Sequence, residues 1–295
     1  MAYHRLGLVA RFRPAAWWRA LIELVLLAAF AALFGIACVV VLGVSAQQHG
    51  RDFSVLLEGS VDPLTPLVQV LVIASILPAP FLAARIAGRN PRALCSTALR
   101  LRWGVLGRAL AVVGALYAAQ VLIDVLRAPT DPTVTPFRLE LIAAFALAVP
   151  LQAAAEEFVF RGALPQILGQ WGSPAWLAYA LPAALFVAGH AYNWVGLVDI
   201  AVFAVCTAVL TWRTGGLEAG IALHAIGNTV FFSYGALGLV DPNATEIGAV
   251  QMLGATFMTV ACTALLLWAL RGTGPGSREI SSGGQKPLVP ADATA

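Results

Sequence analysis

The sequence predicts an all-α polytopic membrane protein with about eight transmembrane helices and both termini in the cytoplasm. Three observations carry that prediction. Of the 295 residues, 60% are apolar and only 11% are Asp, Glu, Lys or Arg, whereas a soluble domain carries about a quarter charged residues. Apolar segments long enough to cross a bilayer run at about 20–44, 64–87, 103–126, 139–160, 174–193, 196–212, 217–236 and 247–270, separated by polar or Pro/Gly-containing breaks. Threading these segments back and forth puts Arg5, Arg11, Arg13, Arg19, Arg85, Arg89, Arg92, Arg100, Arg102, Arg108, Arg161, Arg213, Arg271, Arg278 and Lys286 on one side, and only Arg51, Arg127 and Arg138 on the other. Short cytoplasmic loops retain bases, so this lopsided partition supports an even number of crossings in a multi-pass protein of the inner (plasma) membrane.

The same composition excludes a water-soluble globule, a disordered chain and a coiled coil. A net charge of +3 with dispersed bases excludes a nucleic-acid partner and leaves the lipid bilayer as the expected surrounding. Lys286 is the sole lysine, and an Arg- and Ala-rich chain of this kind suggests a GC-rich bacterial genome. Cys38, Cys95, Cys206 and Cys262 lie far apart with no CxxC pair, so they read as small hydrophobes rather than a disulfide framework or a thiolate metal site.

Three blocks follow along the chain. Residues 1–138 hold three N-terminal spans and a basic cytoplasmic loop, 139–270 form a helical core carrying the polar groups, and 271–295 form a Gly-, Ser- and Pro-rich tail expected to be disordered. Val44-Ser45-Ala46 resembles a signal cleavage site, but the 25 apolar residues of 20–44 exceed a signal's core, so this segment reads as an anchor. The stretch 88–102 alternates bases with apolar residues and reads either as an amphipathic element along the headgroups or as a plain basic loop. No internal repeat is evident, which argues against a transporter built from duplicated halves.

An ionised carboxylate at mid-bilayer costs about 2.5 to 3.5 kcal/mol, so acids and histidines inside spans are read as functional first. Glu23, with Arg19 four residues before it, Asp124, Glu140, Asp199 and Glu218 lie near span ends and read as structural. Glu156 and Glu157 lie deep in the fourth segment. Neighbouring helix positions diverge by about 100°, so the two carboxylates face different surroundings. Arg161 is placed to pair with Glu157 at the i,i+4 spacing, while Glu156 shares its stripe with Gln152 and Phe160 and has no base at that spacing. Of four histidines only His190 and His224 lie in spans, and Asn228 shares a helical face with His224. At a rise of about 1.5 Å per residue these groups fall at similar depths, with Pro150 and Pro182 as kink points and a break expected near Gly189.

Taken together, Glu156-Glu157-Phe158-Val159-Phe160-Arg161, Phe186-Val187-Ala188-Gly189-His190 and His224-Ala225-Ile226-Gly227-Asn228 resemble the ordered motifs EExxxR, FxxxH and HxxxN of the CPBP family, intramembrane proteases of the CAAX-processing and bacteriocin-processing type. The resemblance covers about 140 to 235. It implies peptide-bond hydrolysis in a cavity within the bilayer, here expected to open towards the cytoplasm. Glu156, assisted by His190, would deprotonate the attacking water, and His224 and Asn228 would donate to the oxyanion. Glu157 belongs to the catalytic set and is supported by Arg161, with Gln152 and Phe186 flanking. The partner implied is a membrane-associated polypeptide substrate.

Glu156, His190 and His224 would serve as zinc ligands by residue type, but the spacing is not HExxH, and the reading adopted is that no metal is obligatory. Two other functions use the same residues: a catalytically silent scaffold or bacteriocin-immunity protein, and a proton-coupled transporter.

Overall fold

The computed structural model describes residues 2–57, 62–127 and 134–274, and within them the chain is helical, with no strand beyond two isolated bridges, Arg11 to Arg89 and Ser96 to Gly216. Twelve helices follow in order: α1 Leu6–Val9, α2 Trp17–Gln48, α3 Phe53–Leu57, α4 Thr65–Ser75, α5 Ala79–Ile86, α6 Trp103–Arg127, α7 Pro136–Glu157, α8 Leu164–Gln170, α9 Ala175–Ala188, α10 Trp194–Thr214, α11 Glu218–Ala236 and α12 Ala249–Ala269. Short 3-10 turns occupy Tyr3–Arg5 and Pro91–Leu94, and a π-helical turn, Phe158–Ala163, joins α7 to α8.

Local chemistry sets the boundaries. Thr135 caps α7 by accepting the Arg138 N–H, and Pro136 follows at the first helical position, where its missing N–H costs nothing. Asn193 caps α10 in the same way from Gly196. The far end of α10 stops at Gly215, whose φ of 69° lies in the left-handed region. The turn into α11 also needs Gly216, because a Cβ there would collide with both Arg102 and Glu218.

Helices cover all eight segments expected to cross a bilayer, but their membrane character is unequal. Six are long and apolar enough to span: Trp17–Gln48, Thr65–Ile86, Trp103–Arg127, Pro136–Gln170, Trp194–Thr214 and Ala249–Ala269. The other two differ for physical reasons. Helix α9 has only 14 residues because it ends before Gly189, the break anticipated from sequence. Helix α11 is diluted by Glu218, His224 and Asn228. The outer surface is apolar, with Val25, Leu33, Ile36, Val40, Leu122, Leu147, Val250 and Phe257 exposed, as lipid solvation requires of a multi-pass protein.

The arginine-rich segments gather at one end. Tyr3 donates to Leu94 O (2.5 Å), Asn90 N–H to Ala10 O (2.8 Å), Thr97 N–H to Gly215 O (2.8 Å) and Arg102 Nη1 to Thr273 O (2.9 Å), so the N-terminus, the 88–102 stretch, the α10–α11 turn and the end of α12 are tied together. Two buried ion pairs lie within this end. Glu23 meets Arg89 at 2.6 Å, and Glu218 receives both Nε (2.8 Å) and Nη2 (2.6 Å) of Arg102.

These pairs correct two expectations. Glu23 is held by Arg89 of another segment, not by Arg19 one turn away. The 88–102 stretch is neither a headgroup-lying helix nor a plain loop: Arg89, Ala93, Leu94, Ser96 and Arg102 are buried, because two of its guanidiniums are needed to neutralise carboxylates inside the bundle. The expected tail lies outside the described residues from 275 onward, and its first residues are held to the fold through Thr273. All four cysteines are free, and burial pushes the Cys95 thiol, in the basic stretch, up to about 11.

Helix α7 forms the axis. It packs against α11 and α4, α11 against α6, and α10 against α12 and α9. One apolar cluster, including Val105, Leu210, Leu223 and Leu266, fills the space between α6, α10, α11 and α12. Another joins Val70, Leu141, Phe145 and Val149 between α4 and α7. The polar groups of interest lie where α7 turns from α-helix to π-helix.

Candidate active site

Glu156 and Glu157 are the last two residues of α7, and the roughly 100° between them sends them to different places. Glu157 is fully buried, and its Oε1 lies 3.2 Å from Arg161 Nη1 and 3.0 Å from His224 Nδ1. Glu156 is mostly buried and lines a cleft of about 350 Å³ walled by Leu24 and Ala28 of α2, Ile73 of α4, and Val159 and Phe160. Its Oε2 is 3.3 Å from His224 Nε2.

His224 therefore stands between the two carboxylates, one at each ring nitrogen. The hydrogen bond is the one between Nδ1 and Glu157, and Glu156 stands beside Nε2 within ion-pair distance. The edge of the His224 ring meets the face of Phe203, with centroids 4.8 Å apart at 72°.

Gln152 and Asn228 repeat the pairing one turn further on. Asn228 Nδ2 donates to Gln152 Oε1 at 3.3 Å. Because α7 and α11 each bring residues four apart to the same face, 152 and 156 on one helix meet 228 and 224 on the other as two rungs. His224 and Asn228 share one face of α11, and each faces a polar partner on α7.

Arg161 is buried against Glu157 and lies beside two rings. Its guanidinium carbon lies 4.1 Å from the Phe186 centroid and 5.6 Å from that of Phe203. Cation–π attraction offsets part of the desolvation of a guanidinium that has a single carboxylate partner.

His190 follows the end of α9, in the non-helical stretch 189–193. Its Nδ1 lies 2.8 Å from Phe186 O, and its ring stands 4.8 Å from the Phe186 ring, which is itself 6.3 Å from His224. An Nδ1–H donated to that carbonyl leaves the Nε2 lone pair of the neutral ring free to accept a proton. Asn193 anchors the stretch: besides capping α10, its Nδ2 donates to Ile247 O (3.1 Å) and Glu246 Oε2 (3.0 Å), and its N–H to Thr245 O (2.9 Å).

All eight side chains expected from the motifs thus occupy one neighbourhood. Three contributors were not among the residues expected. Phe203 sits in an apolar run with nothing to mark it. Gly220 matters because a Cβ there would stand 3.0 Å from Glu157 Oε2. Asn193 carried a weak signal, an Asn ahead of an apolar segment, which is an N-cap pattern.

Among the described residues no group of three or more His, Cys, Asp and Glu side chains is arranged to hold a metal. Nδ1 of His224 faces Glu157 and Nδ1 of His190 faces a backbone carbonyl, so Nε2 is the atom by which each ring would hold a metal beside Glu156.

Comparison with known proteins supports the motif reading. Residues 138–230 match the family described as type II CAAX prenyl endopeptidase Rce1-like, an interval that contains all three motifs. The chain is also similar to the uncharacterized protein YyaK of Bacillus subtilis (strain 168), with 26% identity over 181 residues, 57% of this chain and 60% of that protein. The match therefore spans less than two thirds of the relative's length. No solved structure matches. Glu156, Arg161, His190, His224 and Asn228 all lie inside residues 138–230, the interval similar to the Rce1-like type II CAAX prenyl endopeptidase family.

Proposed function

We propose that this protein is an intramembrane endopeptidase of the inner membrane that hydrolyses a peptide bond of a membrane-associated polypeptide with water activated by Glu156. The observation that carries the reading is the Glu156–His224 contact of 3.3 Å beside an apolar cleft. A carboxylate there has a histidine partner, shelter from bulk water, and an apolar channel in which a hydrophobic substrate segment would lie.

In this reading Glu156 takes a proton from water as its oxygen attacks the scissile carbonyl carbon, and His190 Nε2 orients that water. The carbonyl oxygen becomes an oxyanion. His224 and Asn228 turn from their resting contacts with Glu156 and Gln152 to donate to it. Collapse breaks the C–N bond, Glu156 returns its proton to the departing amine, and the carboxylic acid so formed passes the remaining water proton to that amine, giving a carboxylate and an ammonium. Glu157 and Arg161 hold His224 in place and do not touch substrate. The apolar cleft favours a substrate carrying a lipid or a transmembrane segment, and a prenylated tail such as the family's name describes is one member of that class.

The test is peptidomics of membranes from cells expressing wild type or Glu156→Ala, with Glu156→Gln as the near-isosteric control. A membrane polypeptide that accumulates uncut in both variants is the expected result. Phenotypic rescue by Glu156→Ala would instead indicate a silent scaffold or immunity protein, and pH-driven substrate flux lost in that variant would indicate a transporter.

A further inference from the structure

Outside the candidate site, the densest charge lies around the turn at Gly88. Phe12 and Arg13 both donate backbone N–H groups to Gly88 O, at 2.8 and 3.3 Å. A Cβ on Gly88 would stand 2.9 Å from Arg19 Nη1 and 3.0 Å from Arg13 Cβ, so both side chains close on this glycine. Arg85, one turn earlier, lies 4.9 Å over the Phe12 ring. Arg11 reaches Ala87 O and Arg13 O, and Arg89 lies beneath.

Five guanidiniums therefore share this turn. Glu23, the carboxylate in contact with the group, is already bonded to Arg89 (2.6 Å) and to Gln170 (3.1 Å). Arg13, Arg19 and Arg85 pair with no carboxylate among the described residues. Such a cluster attracts an anion, and guanidinium forks match the oxygens of a phosphodiester.

The surroundings distinguish a lipid from a free anion. Immediately beyond the arginines, α2 exposes Trp17, Trp18, Leu21, Ile22 and Val25, and α5 exposes Leu82 and Ile86. Exposed tryptophans beside a continuous apolar face mark the level at which headgroups give way to acyl chains.

We propose that Arg13, Arg19 and Arg85 form a binding site for the phosphate of an anionic phospholipid whose acyl chains run along the exposed face of α2. The cluster lies on the arginine-rich end and is separate from the Glu156–His224 site, so the proposal stands whether or not the protein is a protease.

The experiment is native mass spectrometry of the full-length protein in detergent, titrated with phosphatidylglycerol or with phosphatidylcholine. At a few-fold in affinity per arginine, the wild type retains phosphatidylglycerol more strongly than phosphatidylcholine by on the order of a hundredfold. The triple variant Arg13→Gln, Arg19→Gln, Arg85→Gln loses this preference, whereas Arg108→Gln, an exposed arginine elsewhere, keeps it. Should the triple variant fail to fold, Arg85→Gln alone decides, with an expected loss of about fivefold. Equal retention of the two lipids by wild type, or an intact preference in a folded glutamine variant, overturns the proposal. Displacement of phosphatidylglycerol by equimolar inorganic phosphate assigns the site to free anions and overturns it as well.

Discussion

Glu157 and Gly220 face each other across the contact of α7 with α11: a Cβ at position 220 would stand 3.0 Å from Oε2 of Glu157 and 3.6 Å from its carboxyl carbon. That carboxylate is already fixed by Arg161 and His224, so it has little freedom to retreat. Gly220→Ala is therefore expected to displace Glu157, to tilt His224 with it, and to lower kcat about tenfold while destabilising the protein by about 1 to 3 kcal/mol. Steady-state cleavage assays and thermal unfolding in detergent check this together. Unchanged kcat would remove Glu157 from the positioning chain.

Arg161 and Glu157 form a buried pair, and breaking one side of such a pair leaves the other charge without a partner. Arg161→Met alone is expected to destabilise by about 3 to 5 kcal/mol, whereas Arg161→Met combined with Glu157→Gln recovers most of that loss. Activity does not return in the double variant, because His224 then lacks its ionic support. Thermal unfolding of the two variants beside wild type reads the first effect, and turnover reads the second.

Asn193 joins the stretch carrying His190 to the loop at 245–247. Asn193→Ala removes the cap of α10, at a cost of about 1 kcal/mol, and frees His190 to wander. Asn193→Asp keeps the cap but not the donor to Ile247 O. Both variants are expected to lose kcat by more than their stability loss accounts for. Asn193→Asp activity equal to wild type would show that capping alone matters.

At the N-terminus, His4 is buried, and its backbone carbonyl lies so close to Gly169 that no Cβ fits there. Burial, with the nearby Arg5 charge adding to it, holds the His4 imidazole below its ordinary value. The neutral ring is thus the form that docks. A histidine depressed in the folded state adds stability in full above its ordinary pKa of about 6.5 and loses it as the pH falls below that value. Protection of residues 3–10, taken relative to the intrinsic exchange rate at each pH, should fall between pH 7.5 and pH 5, and His4→Phe should flatten the change. Protection that rises on acidification would reverse the sign assigned here.

The legible part of this molecule was whatever repeats at helical spacing. Glu157 with Arg161, and the face shared by His224 and Asn228, follow from four-residue separations that hold on any helix. Partners from other helices were out of reach. Glu156 has no base along its own helix, and only the packing of α11 supplies His224; Glu23 likewise finds Arg89 from 66 positions away. Hydropathy alone counts α9 and α11 as ordinary spans because it averages over a window; the break near Gly189 and the polar face of α11 were legible only residue by residue. Gly220 and Phe203 left no trace, since a missing Cβ and a ring in an apolar run acquire meaning only from what stands opposite.

The π-helical turn Phe158–Ala163 has a bearing beyond local geometry. A wide turn of this kind houses one more residue than the α-helical pitch would. Six residues at the wider pitch turn the chain about as far as five at the α-helical pitch, so the surplus residue is absorbed without rotating Leu164–Gln170. Winding the same six residues as plain α-helix would swing Leu164–Gln170 through roughly 100°, and Gln166, which donates to Ala93 O at 2.8 Å and accepts from Arg89, would then point elsewhere. The wide turn thus keeps in phase the half of the molecule that holds Glu156 and the half that anchors the arginine-rich end.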